Sequence, residues 1–178
     1  TKIGSSKIID IALKLGFGQK THIDLPGEKD GFVPSSAWKR QKLETKWMLG
    51  DTLNLSIGQG YLQATPMQIV SLMSIIASSG KIFTPQITQK EVKFNLSPIA
   101  EKSFETIKNG LYKVVNESNS TSYQHRLIFK NHLMAGKTAT SQVQAKKNAQ
   151  DNLSRSNIDW NKRNHAIFAG FAPFNNPK

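Results

Sequence analysis

An α+β fold is predicted for this chain of 178 residues: an antiparallel pair of strands covered by helices on one face. Apolar residues recur at helical spacing in three stretches that come first, and two strand-like runs follow, separated by a long polar connection. No internal repeat interrupts that order.

The first helix is read over 5–15, where Ile8, Ile9, Ile11, Ala12 and Leu15 share a face and Gly16 is placed to end it. Pro26, Gly27, Gly31 and Pro34 then mark about twenty residues of irregular connection. Ser36-Ala37-Trp38-Lys39 falls in that loop. Gly58-Gln59-Gly60 reads as a tight turn. Thr65-Pro66-Met67-Gln68 combines an N-cap hydroxyl, proline at the first helical position and glutamine three after the cap, which launches a second helix to about Ser79, stopped by Gly80. Ile69, Val70, Leu72, Met73, Ile75 and Ile76 leave it little polar face, so burial on most sides is expected. Ser97-Pro98 opens a third, amphipathic helix carrying Phe104, Ile107, Leu111, Val114 and Val115, broken by 116–120. Strands are expected over 133–143 and 165–171. Between them, 144–164 is long enough to be a functional or mobile loop, with 148–156 its least ordered part.

Composition narrows the chemistry. Without cysteine there are no disulfides and no thiol nucleophile, and His22, His125, His132 and His165 lack metal-ligand spacing, so no cofactor or metal is expected. A formal charge of +12 favours anionic partners. The densest runs, Lys39-Arg40-Gln41-Lys42 and Lys146-Lys147, lack interleaved aromatics and read as solvated faces, so nucleic acid is not an expected partner. Trp38, Trp47 and Trp160 read as packing or surface residues. No run reaches the roughly 18 apolar residues of a membrane span. The chain opens on Thr1 and stops just after a strand-like run, so 1–178 is read as one partial domain cut at both ends.

The segment richest in chemistry is Lys137-Thr138-Ala139-Thr140, behind Ala135-Gly136. On a strand, Thr138 and Thr140 face one side while Lys137 and Ala139 face the other. Two hydroxyls, an ammonium and a free edge amide suit a bound anion.

That segment resembles the Lys-Thr-Gly-Thr motif of penicillin-binding transpeptidases. Three further stretches agree in the family's order: 16–21 running into Ile23-Asp24-Leu25-Pro26-Gly27-Glu28; 50–60 running into Thr65-Pro66; and 165–173. Together they are similar to class B enzymes of the elongation type, the penicillin-binding protein 2 group, with 84–96 and 144–164 the weakest parts of the match. The resemblance implies a partial transpeptidase domain of the penicillin-binding-protein and β-lactamase-like fold. The parent would be a peptidoglycan D,D-transpeptidase that cross-links stem peptides through a serine acyl-enzyme and binds β-lactams. It would sit at the periplasmic face of the bacterial inner membrane, beside a membrane glycosyltransferase of the elongation machinery. Carried over, Lys137 would set the positive potential, Thr138 and Thr140 would hold the substrate carboxylate, and the Thr140 backbone N–H would form half of the oxyanion hole.

Two family motifs do not carry over. No Ser-x-Asn occurs, and Ser36-Ala37-Trp38-Lys39 fits Ser-x-x-Lys only outside the expected chain order, so it is read as a chance match. The nucleophile is therefore expected outside this chain, leaving the piece inactive alone. Ala139 stands where the family usually has glycine, which is expected to shift geometry slightly without abolishing the site. His165, beside Arg163, is placed near the site without an assigned partner. The competing readings are a carboxypeptidase or β-lactamase-like serine hydrolase and a basic, non-catalytic binding module.

Overall fold

The computed structural model describes residues 2–88, 91–127, 129, 133–143 and 159–177. In chain order these form helices α1 (Ser5–Lys14), α2 (Ser36–Leu43), α3 (Leu49–Ser56) and α4 (Pro66–Ala77), a hairpin of β1 (Lys81–Phe83) and β2 (Phe94–Leu96), then α5 (Glu101–Asn116). Strands β3 (Ala135–Ser141) and β4 (His165–Phe171) follow. Each sheet is a two-stranded antiparallel pair, β1 with β2 and β3 with β4. Helix α5 packs on β3 and α4 on β4, as the α+β reading requires.

Local chemistry explains why α4 stands where it does. Thr65 Oγ1 accepts from the Gln68 amide at 3.2 Å, and Gln68 Oε1 accepts from the Thr65 amide at 3.0 Å, a closed capping box ahead of Pro66. Gln68 goes further than a cap. Its Nε2 donates to Gln19 O and Asp30 O, both at 2.7 Å, so a side chain only 2% exposed ties the irregular connection to the helix. At the other end Gly80 adopts φ 107° and donates to Ile75 O at 2.8 Å. A Cβ there would lie 2.9 Å from the Phe104 ring, so the helix stop is also the place where α5 comes close. Phe104, Ile75 and Ile76 form the core, with Leu72, Leu111 and Phe171 packed around them.

Several expectations need correction. The Ser36 segment is not loop: Ser35 Oγ accepts from the Trp38 amide at 3.1 Å and caps α2, so Ser36 is the first helical residue. The 50–60 stretch carries a helix, α3, before its turn at Gly58 and Gly60 (φ 73° and 79°). The β1–β2 hairpin was not foreseen. Helix α5 starts at Glu101, not at Ser97-Pro98, because Ser97 is held by Gly80 O (2.8 Å) and its own Oγ accepts from the Ile99 amide. Ile107 lies off the buried face of α5, 44% exposed. Nor is α4 enclosed. Val70 is 59% exposed, and Ile69, Val70 and Met73 line an open apolar cavity of about 900 Å³ with Phe83, Ile167 and Phe171.

A second clasp joins distant loops. Asp24 accepts from the Ile87 amide at 2.7 Å and the Thr88 hydroxyl at 2.9 Å. Those bonds, the Ile87 amide foremost, hold its carboxyl down to about 2. A folded value below the unfolded one contributes stability that is present above the ordinary carboxylate range and is lost as pH falls through the folded value. The clasp is therefore expected to hold at pH 4 and to open near pH 2, read as loss of hydrogen-exchange protection at the Ile87 amide. Opening already at pH 4 would contradict it, and Asp24→Asn should abolish the pH step.

Candidate functional site

The site is built on the β3–β4 ladder, whose pairs run from Ala135 opposite Phe171 to Ser141 opposite His165. Lys137 faces Ala169, Thr138 faces Phe168, Ala139 faces Ile167 and Thr140 faces Ala166. The period-two alternation is thus realised, with the two threonines on one side. From Lys137 to Ser141 the strand is exposed, while Ala135 is fully buried and Gly136 buried. The reactive groups therefore project from an anchored root.

Alternation would separate the lysine from the threonines, yet the lysine arm bends back along the strand. Lys137 Nζ lies 3.0 Å from Thr138 O and 3.5 Å from Thr138 Oγ1. An ammonium thus sits beside a hydroxyl at an exposed strand. Together they offer a charged and a neutral donor to one anion, and charge-assisted bonds of that kind are roughly twice as strong as neutral ones. Ala139 is exposed opposite Ile167.

The root is held by close backbone approach. A Cβ on Gly136 would meet Phe168 Cζ at 2.5 Å and Ala169 O at 2.7 Å, and one on Gly170 would meet Ala135 O at 2.5 Å. Two glycines therefore let the strands and the Phe168 ring nest together, a role visible only once the register is known.

The Ser36-x-x-Lys39 pair is employed elsewhere. Lys39 is 7% exposed and donates to Asp51 Oδ2 at 2.6 Å, while the Met48 amide donates to the same oxygen at 2.6 Å. The Lys39 ammonium, then the Met48 amide, lower the Asp51 carboxyl from its ordinary range. An ion-paired lysine of this sort cannot serve as a free base, and α2 has no substantial packing against β3 among the described residues. Tyr61 packs edge-on against Trp38 at 5.2 Å, and Trp38 in turn meets Phe32 at 4.7 Å. Trp47 donates to Thr52 Oγ1, and Trp160 is 81% exposed with the Arg163 guanidinium 5.3 Å from its ring. His165 ends the ladder opposite Ser141, on the Lys137 side. His132, Lys146-Lys147 and residues 144–158 of the loop expected over 144–164 lie outside the described residues.

In the sequence Asn116 stands out only as part of the 116–120 helix breaker. Its Nδ2 donates to Tyr112 O at 2.8 Å and to Met134 O at 2.9 Å, immediately ahead of β3.

Comparison with known proteins agrees with this architecture. A family model described as the penicillin binding protein transpeptidase domain matches residues 1–178. Peptidoglycan D,D-transpeptidase MrdA of Escherichia coli K12 is 30% identical over 188 residues, covering 99% of this chain and 29% of that protein. Penicillin-binding protein 2 of Helicobacter pylori superposes with a TM-score of 0.82 at 30% identity, over 99% of this chain and 30% of that one. The same protein in complex with MreC gives a TM-score of 0.81 at 32% identity, over 99% and 31%. Penicillin-binding protein 2 of Pseudomonas aeruginosa, in complex with WCK 5153, gives 0.74 at 30% identity, over 99% and 38%. The chain thus spans about three tenths of the length of the curated relatives it matches.

Proposed function

This chain belongs to the penicillin-binding protein transpeptidase domain family, and on that premise we propose that it is the C-terminal part of the transpeptidase domain of an elongation-type peptidoglycan D,D-transpeptidase. The observation that carries the reading is the Lys137 ammonium lying beside the Thr138 hydroxyl on an exposed strand. In this role β3 receives the D-alanyl-D-alanine end of a stem peptide, or a β-lactam in its place. Lys137 supplies the positive potential, and the Thr138 and Thr140 hydroxyls donate to the terminal carboxylate. The Thr140 backbone N–H is one of the two donors for the oxyanion that forms as a serine attacks the carbonyl.

On this reading the attacking serine belongs to residues outside this segment: there is no Ser-x-Asn here, Lys39 of the Ser36 match is committed to Asp51, and in the other Ser-x-x-Lys match, Ser78 to Lys81, the serine hydroxyl donates to Ser74 O at 2.8 Å. The parent would act at the periplasmic face of the inner membrane with a glycosyltransferase of the elongation machinery. No helix among the described residues is long and apolar enough to cross a membrane. That the Helicobacter pylori relative forms a complex with MreC supports membership of a multiprotein assembly.

Covalent labelling by fluorescent penicillin tests the reading on the full-length protein that carries this segment. Thr138→Val removes one hydrogen bond to a charged group, worth about 1.5–3 kcal/mol, so the second-order labelling rate should fall roughly 10- to 150-fold. Lys137→Met should fall at least as far. A wild-type rate in both variants would sink the proposal, as would labelling of Ser36.

A further inference from the structure

We propose that Asn116 is a positioning residue for the β3 recognition edge, setting the height and angle at which Thr138 and Thr140 are presented; this rests on the functional reading above. Two carbonyls lie immediately ahead of β3, and both are captured from different directions. Leu133 O accepts from the Phe174 amide at 2.7 Å, on the chain that continues β4. Met134 O accepts from Asn116 Nδ2 at 2.9 Å, from the last residue of α5. The same amide group donates to Tyr112 O at 2.8 Å, one turn back. One side chain thereby locks the helix end and the strand root to each other.

The geometry makes this root a fulcrum. Ala135 is fully buried and Gly136 is pressed against Phe168, whereas everything from Lys137 outward is exposed. The working end of β3 therefore inherits its placement relative to the helices from the anchored end. Six residues separate Met134 from Thr140, about 20 Å of strand. A tilt of about three degrees at the root carries Thr140 roughly 1 Å, and a 1 Å misplacement of a reacting group can cost about a hundredfold in rate. Asparagine suits the task because its NH₂ group has two donors, enough for both carbonyls.

Two variants of the full-length protein separate positioning from stability. Asn116→Asp keeps the shape and replaces both donors with acceptors. Asn116→Ser can still donate to the carbonyl four residues back, so it spares the helix bond and drops the strand bond. Both are expected to label with penicillin about 10- to 100-fold more slowly per folded molecule. Amides of 135–141 should exchange faster in both, while those of 104–113 keep their protection in the serine variant. A labelling rate within twofold of wild type in the folded variants overturns the proposal, and so does a loss that merely tracks the unfolded fraction or unfolding of both variants. Thr138→Val run alongside tells the failures apart. If it is slow while the Asn116 variants are not, only the positioning role falls; if it labels normally, the functional reading falls and takes the positioning role with it.

Discussion

Replacing Gly170 with valine is expected to part β3 from β4 and to abolish penicillin labelling of the protein that carries this segment. The first added atom, Cβ, would sit 2.5 Å from Ala135 O and 3.2 Å from Gly136 Cα, with Phe168 Cε1 at 3.0 Å. Two of those neighbours are backbone, so no rotamer change relieves them. Ala135 cannot retreat either, being fully buried on the strand that α5 packs against. Overpacking of a core costs about 1–3 kcal/mol where side chains can adjust, and this clash falls on a ladder that cannot. A loss of about 3 kcal/mol or more follows, roughly 6–12 °C in melting temperature for a chain of this size. Thermal unfolding with exchange at 135–141 checks it. A variant melting with the parent and keeping those amides protected would refute the packing argument.

Truncating Phe104 to alanine should cost the most stability of any single core change, about 3–5 kcal/mol. The ring is 2% exposed, packs with Ile75 and Ile76 of α4, and lies where Gly80 leaves space. Little around it can collapse, because the α4 stop at Gly80 and the start of α5 are both tied by backbone bonds. Urea titration should show a lower midpoint with an unchanged slope. Ile107→Ala on the same helix, 44% exposed, should change stability by less than about 1 kcal/mol, and equal losses in the two variants would contradict the placement of the core.

Much of the frame was legible because its signals are local. The capping box at Thr65 and Gln68 and the strand 165–171 follow from residue types within a few positions, and both stand there in the fold. The same holds for the alternation along β3. Helices α2 and α3 were missed for a different reason. Each is eight residues long, too short for periodicity to speak, and each is stabilised by partners outside its own turn. Lys39 illustrates the cost: with Arg40 and Lys42 it reads as part of a solvated face, while the structure buries it to 7% exposure against Asp51, twelve residues on, a structural occupation that agrees with reading its Ser-x-x-Lys match as chance. At the candidate site, the residue types on β3 announced an anion edge. The bend of the Lys137 arm to Thr138 and the Asn116 clamp were invisible, since neither depends on neighbours that sequence spacing can rank.

By itself, the sequence determined the α+β class, the family and the identity of the donors along 137–140, because hydrophobic period, cap chemistry and motif residues are properties of contiguous chain. Tertiary structure alone decided how those donors are held. The root of β3 is seated by glycines whose purpose lies on the opposite strand, by an asparagine 18 residues upstream of the carbonyl it grips, and by an amide beyond β4. Contacts of that kind form only when distant segments meet in space, where close packing and hydrogen-bond satisfaction are enforced together.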